Sequence, residues 1–184
     1  MIADLAYERF RRFAGELARE MGTTVEMVFE PIGLMLQPEG SRFDYWCTPT
    51  NSVTFAGTGG DGVHFGRLLP DAGAVVPVVM SVPTNDVANL VVAADFMGFL
   101  RLGYHRGFFA LEQFVYDWED AVEIHSRPDV DQERQERLLL EPLRAEFALE
   151  PPADIAASIK AADEAHSNRL VVPDFDEWCA KHGV

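Results

Sequence analysis

Residues 48–69 read TPTNSVTFAGTGGDGVHFGRLL, and the pattern of this stretch decides the fold. Apolar residues alternate on both sides of a glycine-rich centre, with Val53 and Phe55 before it and Val63 and Phe65 after it. A period of two is typical of β-strands with one buried face, and glycines beside an aspartate favour a tight connection. The stretch therefore predicts a β-hairpin whose turn consists of Gly59, Gly60, Asp61 and Gly62.

The turn residues admit two interpretations. In the structural one, the glycines take positive φ and Asp61 makes an Asx-type turn. In the functional one, Asp61 sits on an exposed acidic recognition loop. A phosphate cradle is disfavoured, because the glycines lead into a strand instead of a helix and the nearest charge is that of Asp61 itself.

The flanking sequence predicts helices on both sides of an antiparallel sheet. Apolar residues recur every three or four positions from Ile2 to Met21, which indicates an amphipathic helix ending at Gly22. The elements predicted downstream are strands at 74–82 and 89–93, a helix at 96–102 capped by Asp95, and a second helix carrying Phe108, Leu111, Val115, Trp118 and Val122. Strands in the middle and helices at both ends define the α+β class.

The composition changes after Arg127, where charged and helix-favouring residues take over. We interpret residues 1–127 as an α+β domain and residues 128–184 as a helical C-terminal extension packed on it. A last short helix is predicted at 175–182, capped by Asp174. An apolar stripe in the extension either packs on the domain or mediates assembly, a homodimer included: Leu138, Leu139, Leu140, Leu143 and Phe147.

The charge balance narrows the classes of partner. The 184 residues include 15 basic and 30 acidic side chains, a formal charge of −15. Such a field repels nucleic acid and anionic membranes and attracts basic proteins, so we expect a basic protein partner, no nucleic acid and no membrane. Cys47 and Cys179 form no metal-binding or disulfide pattern, and the first residues do not resemble an export signal; both features fit the cytoplasm.

No catalytic constellation stands out. Asp61 and His64 are close in sequence, but they supply at most two metal ligands, where zinc sites use three or four. No serine lies in a nucleophile elbow. We therefore expect no catalytic residue, no metal and no cofactor. The alternative is a small hydrolase or metal-dependent enzyme using Asp61, His64 and Asp71.

The most suggestive surface candidates precede the hairpin. Phe43, Tyr45 and Trp46 surround Asp44, and exposed aromatic residues with acidic neighbours are common anchors of protein contacts, although burial in the core is the simpler fate of aromatic rings. Together with Asp61 and His64, these four residues form the predicted partner-binding set. Surface or capping positions are predicted for the remaining histidines: His105, His125, His166 and His182.

The order of these segments resembles the SUKH superfamily. The resemblance covers roughly residues 48–102 and rests on FAGTGGDGVHFGRLLPD (55–71), VPVVMSVP (76–83), NLVVAA (89–94) and ADFMGFLRLGY (94–104). The matching residues are Gly60, Asp61, Gly62, Phe65, Phe96, Phe99 and Leu100. The resemblance implies a cytoplasmic α+β binding module without an active site, frequently an immunity protein that neutralises a toxin, otherwise a regulatory adaptor.

Overall fold

The structure, a computed structural model, describes residues 4–69, 75–127 and 133–183. They form a five-stranded antiparallel sheet with helices around it, which confirms the predicted α+β class. The strands follow each other across the sheet in chain order: β1 Met35–Leu36, β2 Ser52–Gly57, β3 His64–Leu68, β4 Val78–Ser81 and β5 Asn89–Ala93.

The helices precede and follow the sheet. They are α1 Leu5–Met21, α2 Phe96–Leu102, α3 Gln113–Tyr116, α4 Trp118–His125, α5 Arg134–Phe147, α6 Ile155–His166 and α7 Phe175–His182, with 3₁₀ turns at Glu30–Ile32, Phe109–Glu112 and Ser167–Arg169. Among the residues described, no helix combines the length and the apolar character needed to cross a bilayer.

Helix boundaries follow local capping signals. Asp4 accepts a hydrogen bond from the Tyr7 amide at the start of α1, and Gly22, with φ 68°, ends the helix as predicted. Asp95 caps α2 by accepting from the Gly98 amide at 2.7 Å. Asp174 caps α7 in the same way. The bounds of α2 and α7 and the end of α1 are therefore where the sequence predicts, whereas α1 begins at Leu5, after the Asp4 cap, and Ile2, where the prediction starts, lies outside the described residues.

The hairpin forms as predicted, with one irregularity. β2 and β3 pair antiparallel from Ser52 opposite Leu68 to Gly57 opposite His64. Between Thr54 and Ala56 the register shifts, so Phe55 is the extra residue of a bulge. Phe55 nevertheless points into the main core, where its ring lies 5.3 Å from that of Phe99 in α2.

The sheet separates two buried layers. On one side, Phe65 and its cross-strand partner Met80 pack with α1 and α2 in the main core. The next pair along, His64 and Ser81, is also buried but lies outside that core. Because side chains alternate along a strand, His64 faces the opposite side of the sheet, as its position between Val63 and Phe65 predicts.

Two predicted elements differ in extent. β4 begins only at Val78, because Pro77 lacks the amide needed inside a ladder; Ala74, the predicted first residue, lies outside the described residues. The single helix predicted across Phe108–Val122 is wrong. Asp117 has extended backbone angles (φ −147°, ψ 101°) and its carboxylate accepts from the Asp120 amide, so it ends α3 and caps a new helix, α4.

The C-terminal helices pack on the rest of the chain. Buried side chains of α5 join the same core as α1 and the sheet: Leu139, Leu140, Leu143 and Phe147. Leu138 alone of the predicted stripe is exposed, at 54%. α6 covers β5, where Asp163 accepts a hydrogen bond from the Val91 amide. The predicted boundary after residue 127 falls next to residues 128–132, which lie outside the described part, and stays a prediction.

Candidate functional site

The segment of residues 43–48, which we call the aromatic loop, lies against the β2–β3 turn. The Phe43 ring centroid is 5.0 Å from that of His64, and the Tyr45 ring stacks on the same imidazole at 5.7 Å. The two aromatic rings meet edge to face at 6.0 Å. Residues that the sequence places about 20 positions apart therefore form one cluster.

A chain of hydrogen bonds fastens the aromatic loop to the hairpin. The Tyr45 amide donates to Thr48 Oγ1 at 3.3 Å, and Thr48 Oγ1 lies 3.1 Å from His64 Nε2. His64 Nδ1 lies 2.8 Å from the Gly62 carbonyl oxygen, which can only accept. His64 is therefore the neutral tautomer with its proton on Nδ1, and Thr48 donates to Nε2. Burial lowers the pKa of His64, against the smaller raising effect of the Gly62 bond.

The turn beneath this loop is built on the main chain. The Val63 amide donates to the Gly60 carbonyl at 3.0 Å, and the two central residues have positive φ, 48° at Asp61 and 73° at Gly62. Positive φ at both positions is typical of a type I′ turn, the turn that matches the twist of a hairpin. The Asx-type turn predicted for Asp61 is not what forms: backbone conformation closes the turn, and the Asp61 carboxylate faces solvent.

A second carboxylate, not predicted from the sequence, interacts electrostatically with Asp61. Glu112, in the 3₁₀ turn before α3, has a raised pKa, first because it is partly buried and second because the charge of Asp61 is near. The two residues are 51 positions apart, so no sequence spacing signals that their charges interact. Two like charges held together at a surface favour the approach of a cation.

Asp44 and Trp46 contact the C-terminal helix. Lys181 Nζ lies 2.8 Å and His182 Nε2 3.1 Å from Asp44 Oδ2, and these hydrogen bonds, the lysine's first, lower the pKa of Asp44. Trp46 donates its indole N–H to the Pro83 carbonyl at 3.1 Å. Its ring meets Phe175 of α7 edge to face at 5.6 Å. Asp44 and Trp46, in this half of the aromatic loop, are thus covered by α7 of the same chain.

The six predicted partner-binding residues are brought together but differ in exposure. Asp44 and Asp61 are exposed, Tyr45 is 38% exposed, and Phe43 and Trp46 are half-buried. His64 is 1% exposed, so it supports the loop from below and offers no atom to a partner. We use the name acidic-aromatic face for the residues that are at least partly exposed: Phe43, Asp44, Tyr45, Trp46, Asp61 and Glu112.

The alternative, a metal or acid/base site at Asp61 and His64, has few side-chain groups available for such chemistry. Both ring nitrogens of His64 are engaged, by Thr48 and Gly62, and the Asp61 carboxylate faces solvent. Over residues 4–69, 75–127 and 133–183, no three His, Cys, Asp or Glu side chains converge as metal ligands. Asp71, the third member of that hypothesis, lies outside these ranges.

The surface or capping position predicted for His125 is wrong. Its side chain is 3% exposed, its ring stacks on Phe114 at 5.3 Å, and its Nε2 atom has no hydrogen-bond partner within the described part of the chain. The histidine lies one turn after Ala121, which is also buried, on the inner side of α4. Burial lowers the pKa of His125.

Comparison with known proteins adds nothing to what the fold and this face show. No protein-family model matches the chain, and neither curated proteins nor solved structures give a significant match.

Proposed function

We propose that the protein is a non-enzymatic binding module whose acidic-aromatic face takes up a basic protein. The observation that carries this proposal is the packing of the aromatic loop on the hairpin turn, where Tyr45 stacks on His64 and lies at Gly62, next to the exposed Asp61. The charge of Asp61 also acts on Glu112. Aromatic rings supply contact area and carboxylates supply charge complementarity, the two ingredients of protein interfaces.

The global charge supports a basic partner. A formal charge of −15 steers cationic proteins towards the surface and accelerates association at low salt. Asp61 and Glu112 then localise that attraction on the face. A lysine or arginine of the partner that lies near both carboxylates relieves their mutual repulsion. The turn beneath Tyr45 is closed by the Val63–Gly60 hydrogen bond, which favours binding because little backbone freedom remains to be lost when a partner docks.

The SUKH resemblance makes this partner more specific. It suggests an immunity protein that masks a cationic toxin, acting in the cytoplasm, and an acidic face on a hairpin suits that role. A helix-mediated homodimer is the competing binding role, and exposed Leu138 on α5 is its contact residue. Both proposals concern binding without catalysis, and mutation can distinguish one from the other.

The first test is affinity purification of the tagged protein from its native cells, eluted at about 0.1 M and then about 1 M salt, where charge screening becomes strong. We expect a stoichiometric basic protein released by high salt. That protein is then purified, and its affinity and the inhibition of its activity are measured directly.

Two charge-matched double variants locate the face. Asp61→Asn with Glu112→Gln removes two charges from the face, and Glu119→Gln with Asp120→Asn removes two from the exposed side of α4. We expect the first to weaken binding at least about fivefold, ~1 kcal/mol, and the second to have less effect. Equal effects of both variants would refute the face, and a Leu138→Glu variant that alone abolishes binding would favour assembly through α5.

A further inference from the structure

α7 rests on the aromatic loop through contacts of two kinds. Its basic end meets Asp44, with Lys181 Nζ at 2.8 Å and His182 Nε2 at 3.1 Å. Its aromatic residues meet the loop nearby, since Trp178 donates its indole N–H to the Asp44 carbonyl at 3.3 Å and Phe175 packs on Trp46. Aromatic and basic residues three or four positions apart lie on one side of a helix, so α7 presents a single binding stripe.

The attachment is weak along its whole length. No side chain of α7 is buried, and the Lys181–Asp44 pair has side-chain exposures of 65% and 61%. Exposed ion pairs contribute little to stability and are screened by salt. A helix of eight residues does not persist alone in water, so α7 remains helical only while it is docked.

The segment before α7 is held more firmly. Val171 accepts a hydrogen bond from the Thr50 amide at 2.8 Å and donates its own amide to Asn51 Oδ1 at 3.1 Å. The Asn51 side-chain amide also donates to the Arg169 carbonyl at 2.7 Å. Release can therefore stop at this tether, so that α7 leaves the loop while the chain before it stays in place.

We propose that α7 is a displaceable internal ligand of the aromatic loop, and that the partner binds there through an amphipathic helix of the same chemistry, with two aromatic residues followed by basic ones. This inference rests on the proposed function for the existence of a basic partner and adds how that partner is received. Asp44 and Trp46 recognise the helix, and α7 covers them until it is displaced.

Cys179 reports the release without any partner. It lies half-buried on α7, whereas Cys47, the other cysteine, is buried and burial raises the pKa of its thiol to about 11, which makes it slow to react. The rate of reaction of the full-length protein with a disulfide reagent such as Ellman's reagent is therefore measured. A Cys179→Ser variant gives the background from Cys47.

The expected result is a faster reaction when the Asp44 contact is lost. Asp44→Asn should raise the Cys179 rate about two- to fivefold, the population change that follows loss of an exposed ion pair, while the charge-matched Glu119→Gln leaves it unchanged. Raising salt to about 1 M should accelerate the wild type and have less effect on Asp44→Asn. An Asp44→Asn, Cys179→Ser double variant that still reacts slowly shows that the core has not opened.

A synthetic peptide tests whether the loop accepts a helix from outside. The peptide has the sequence of residues 171–184 with Ser in place of Cys179. We expect it to raise the Cys179 rate of the intact protein in a saturable manner, and a version with Lys181→Glu and His182→Glu to have no such effect. Equal rates for wild type and Asp44→Asn, or no response to the peptide, would overturn the proposal.

The Asp44→Asn comparison and the peptide experiment can both be done before the partner is identified. A partner that binds without changing the Cys179 rate would leave the binding function standing and refute displacement of α7. Release of α7 with no basic partner captured from cells would do the reverse.

Discussion

Thr48 Oγ1 lies 3.1 Å from His64 Nε2, and this buried polar contact joins the aromatic loop to the hairpin beneath the rings of Phe43 and Tyr45. Both residues are buried, at 7% and 1% exposure. Since the Gly62 carbonyl holds the proton on Nδ1, Nε2 is left as a hydrogen-bond acceptor, and the Thr48 hydroxyl is its donor. The position of Tyr45 on the surface is thus set by a polar contact beneath it.

Replacing Thr48 by Val should loosen the aromatic loop. The valine keeps the shape of the side chain but leaves the buried His64 Nε2 without a donor and the Tyr45 amide without an acceptor. We expect a loss of about 1–3 kcal/mol in the free energy of unfolding, measured by urea denaturation. Thr84→Val, which removes an exposed hydroxyl bonded to Tyr116, should change it by less than about 0.5 kcal/mol.

Stability should fall as the solution becomes mildly acidic. Burial lowers the pKa of His64 and of His125, so the unfolded chain binds protons that the folded protein does not. The two neutral histidines contribute fully to the free energy of unfolding above about pH 6.5, the pKa of a histidine in the unfolded chain. This contribution is lost as the pH falls from there towards the lowered pKa values of the folded protein. The free energy of unfolding, measured between about pH 7.5 and pH 5, should decrease accordingly.

Single substitutions identify the histidines responsible. His64→Gln and His125→Gln should each flatten the dependence on pH, whatever their effect on stability at pH 7. The pKa of His105 is lowered too, by its partial burial and then by two arginines, so some slope should survive both changes. If both variants keep the wild-type slope over this range, the acid sensitivity arises elsewhere.

The type I′ turn makes two neighbouring glycines unequal. Gly62 has φ 73°, and a Cβ atom there would lie 2.7 Å from Cζ of the Tyr45 ring, whereas a Cβ atom on Gly60 would meet nothing within 4 Å. We expect Gly62→Ala to cost about 1–2 kcal/mol and to push Tyr45 aside, and Gly60→Ala to be nearly neutral. Thermal unfolding measures the cost, and an equal loss in both variants would contradict this account of the turn.

Local signals explain what was predictable about the fold. The hairpin, β5, α2 and α7 follow from alternation, glycine-rich turns and aspartate caps, which act within a few residues of where they lie. The break at Asp117 was missed because the apolar spacing continues through it, and the cap competes with that spacing. β1 has only two residues and owes its position to pairing with β2, a contact that no short window contains.

The candidate site was only half visible in the sequence. Phe43 to Trp46 and the hairpin turn stand out by composition, but their contact depends on the buried Thr48–His64 bond. Glu112 and the covering helix α7 come from distant segments, and neither carries a motif. His64, one of the predicted partner-binding residues, is buried for the same reason, because the aromatic loop that covers it folds back from outside the hairpin.

A close approach of two backbones should make Gly33 irreplaceable. A Cβ atom on Gly33 would lie 2.4 Å from the Phe109 amide nitrogen, while one on Gly40 would meet nothing within 4 Å. Both glycines have positive φ, 73° and 79°, so an alanine suffers the same conformational strain at each. We expect Gly33→Ala to lower the free energy of unfolding by about 1–3 kcal/mol more than Gly40→Ala, measured by urea denaturation. Similar losses in the two variants would show that the backbone segments at Gly33 and Phe109 can move apart at low cost.

The pairing of Asp61 with Glu112 can be measured directly on the unbound protein. Asp61→Asn removes the second cause of the raised Glu112 pKa and leaves the first, partial burial, in place. Asparagine also tolerates the positive φ of position 61, so the turn should keep its shape. We expect the Glu112 pKa, followed by NMR titration of its side-chain carboxyl carbon, to fall without reaching its usual range. Asp44→Asn is the charge-matched control and should leave it unchanged, because the Glu112 pKa is raised by burial and by Asp61. An unchanged Glu112 pKa in Asp61→Asn would remove the acidic pair from the face, and with it the site to which a partner cation is assigned.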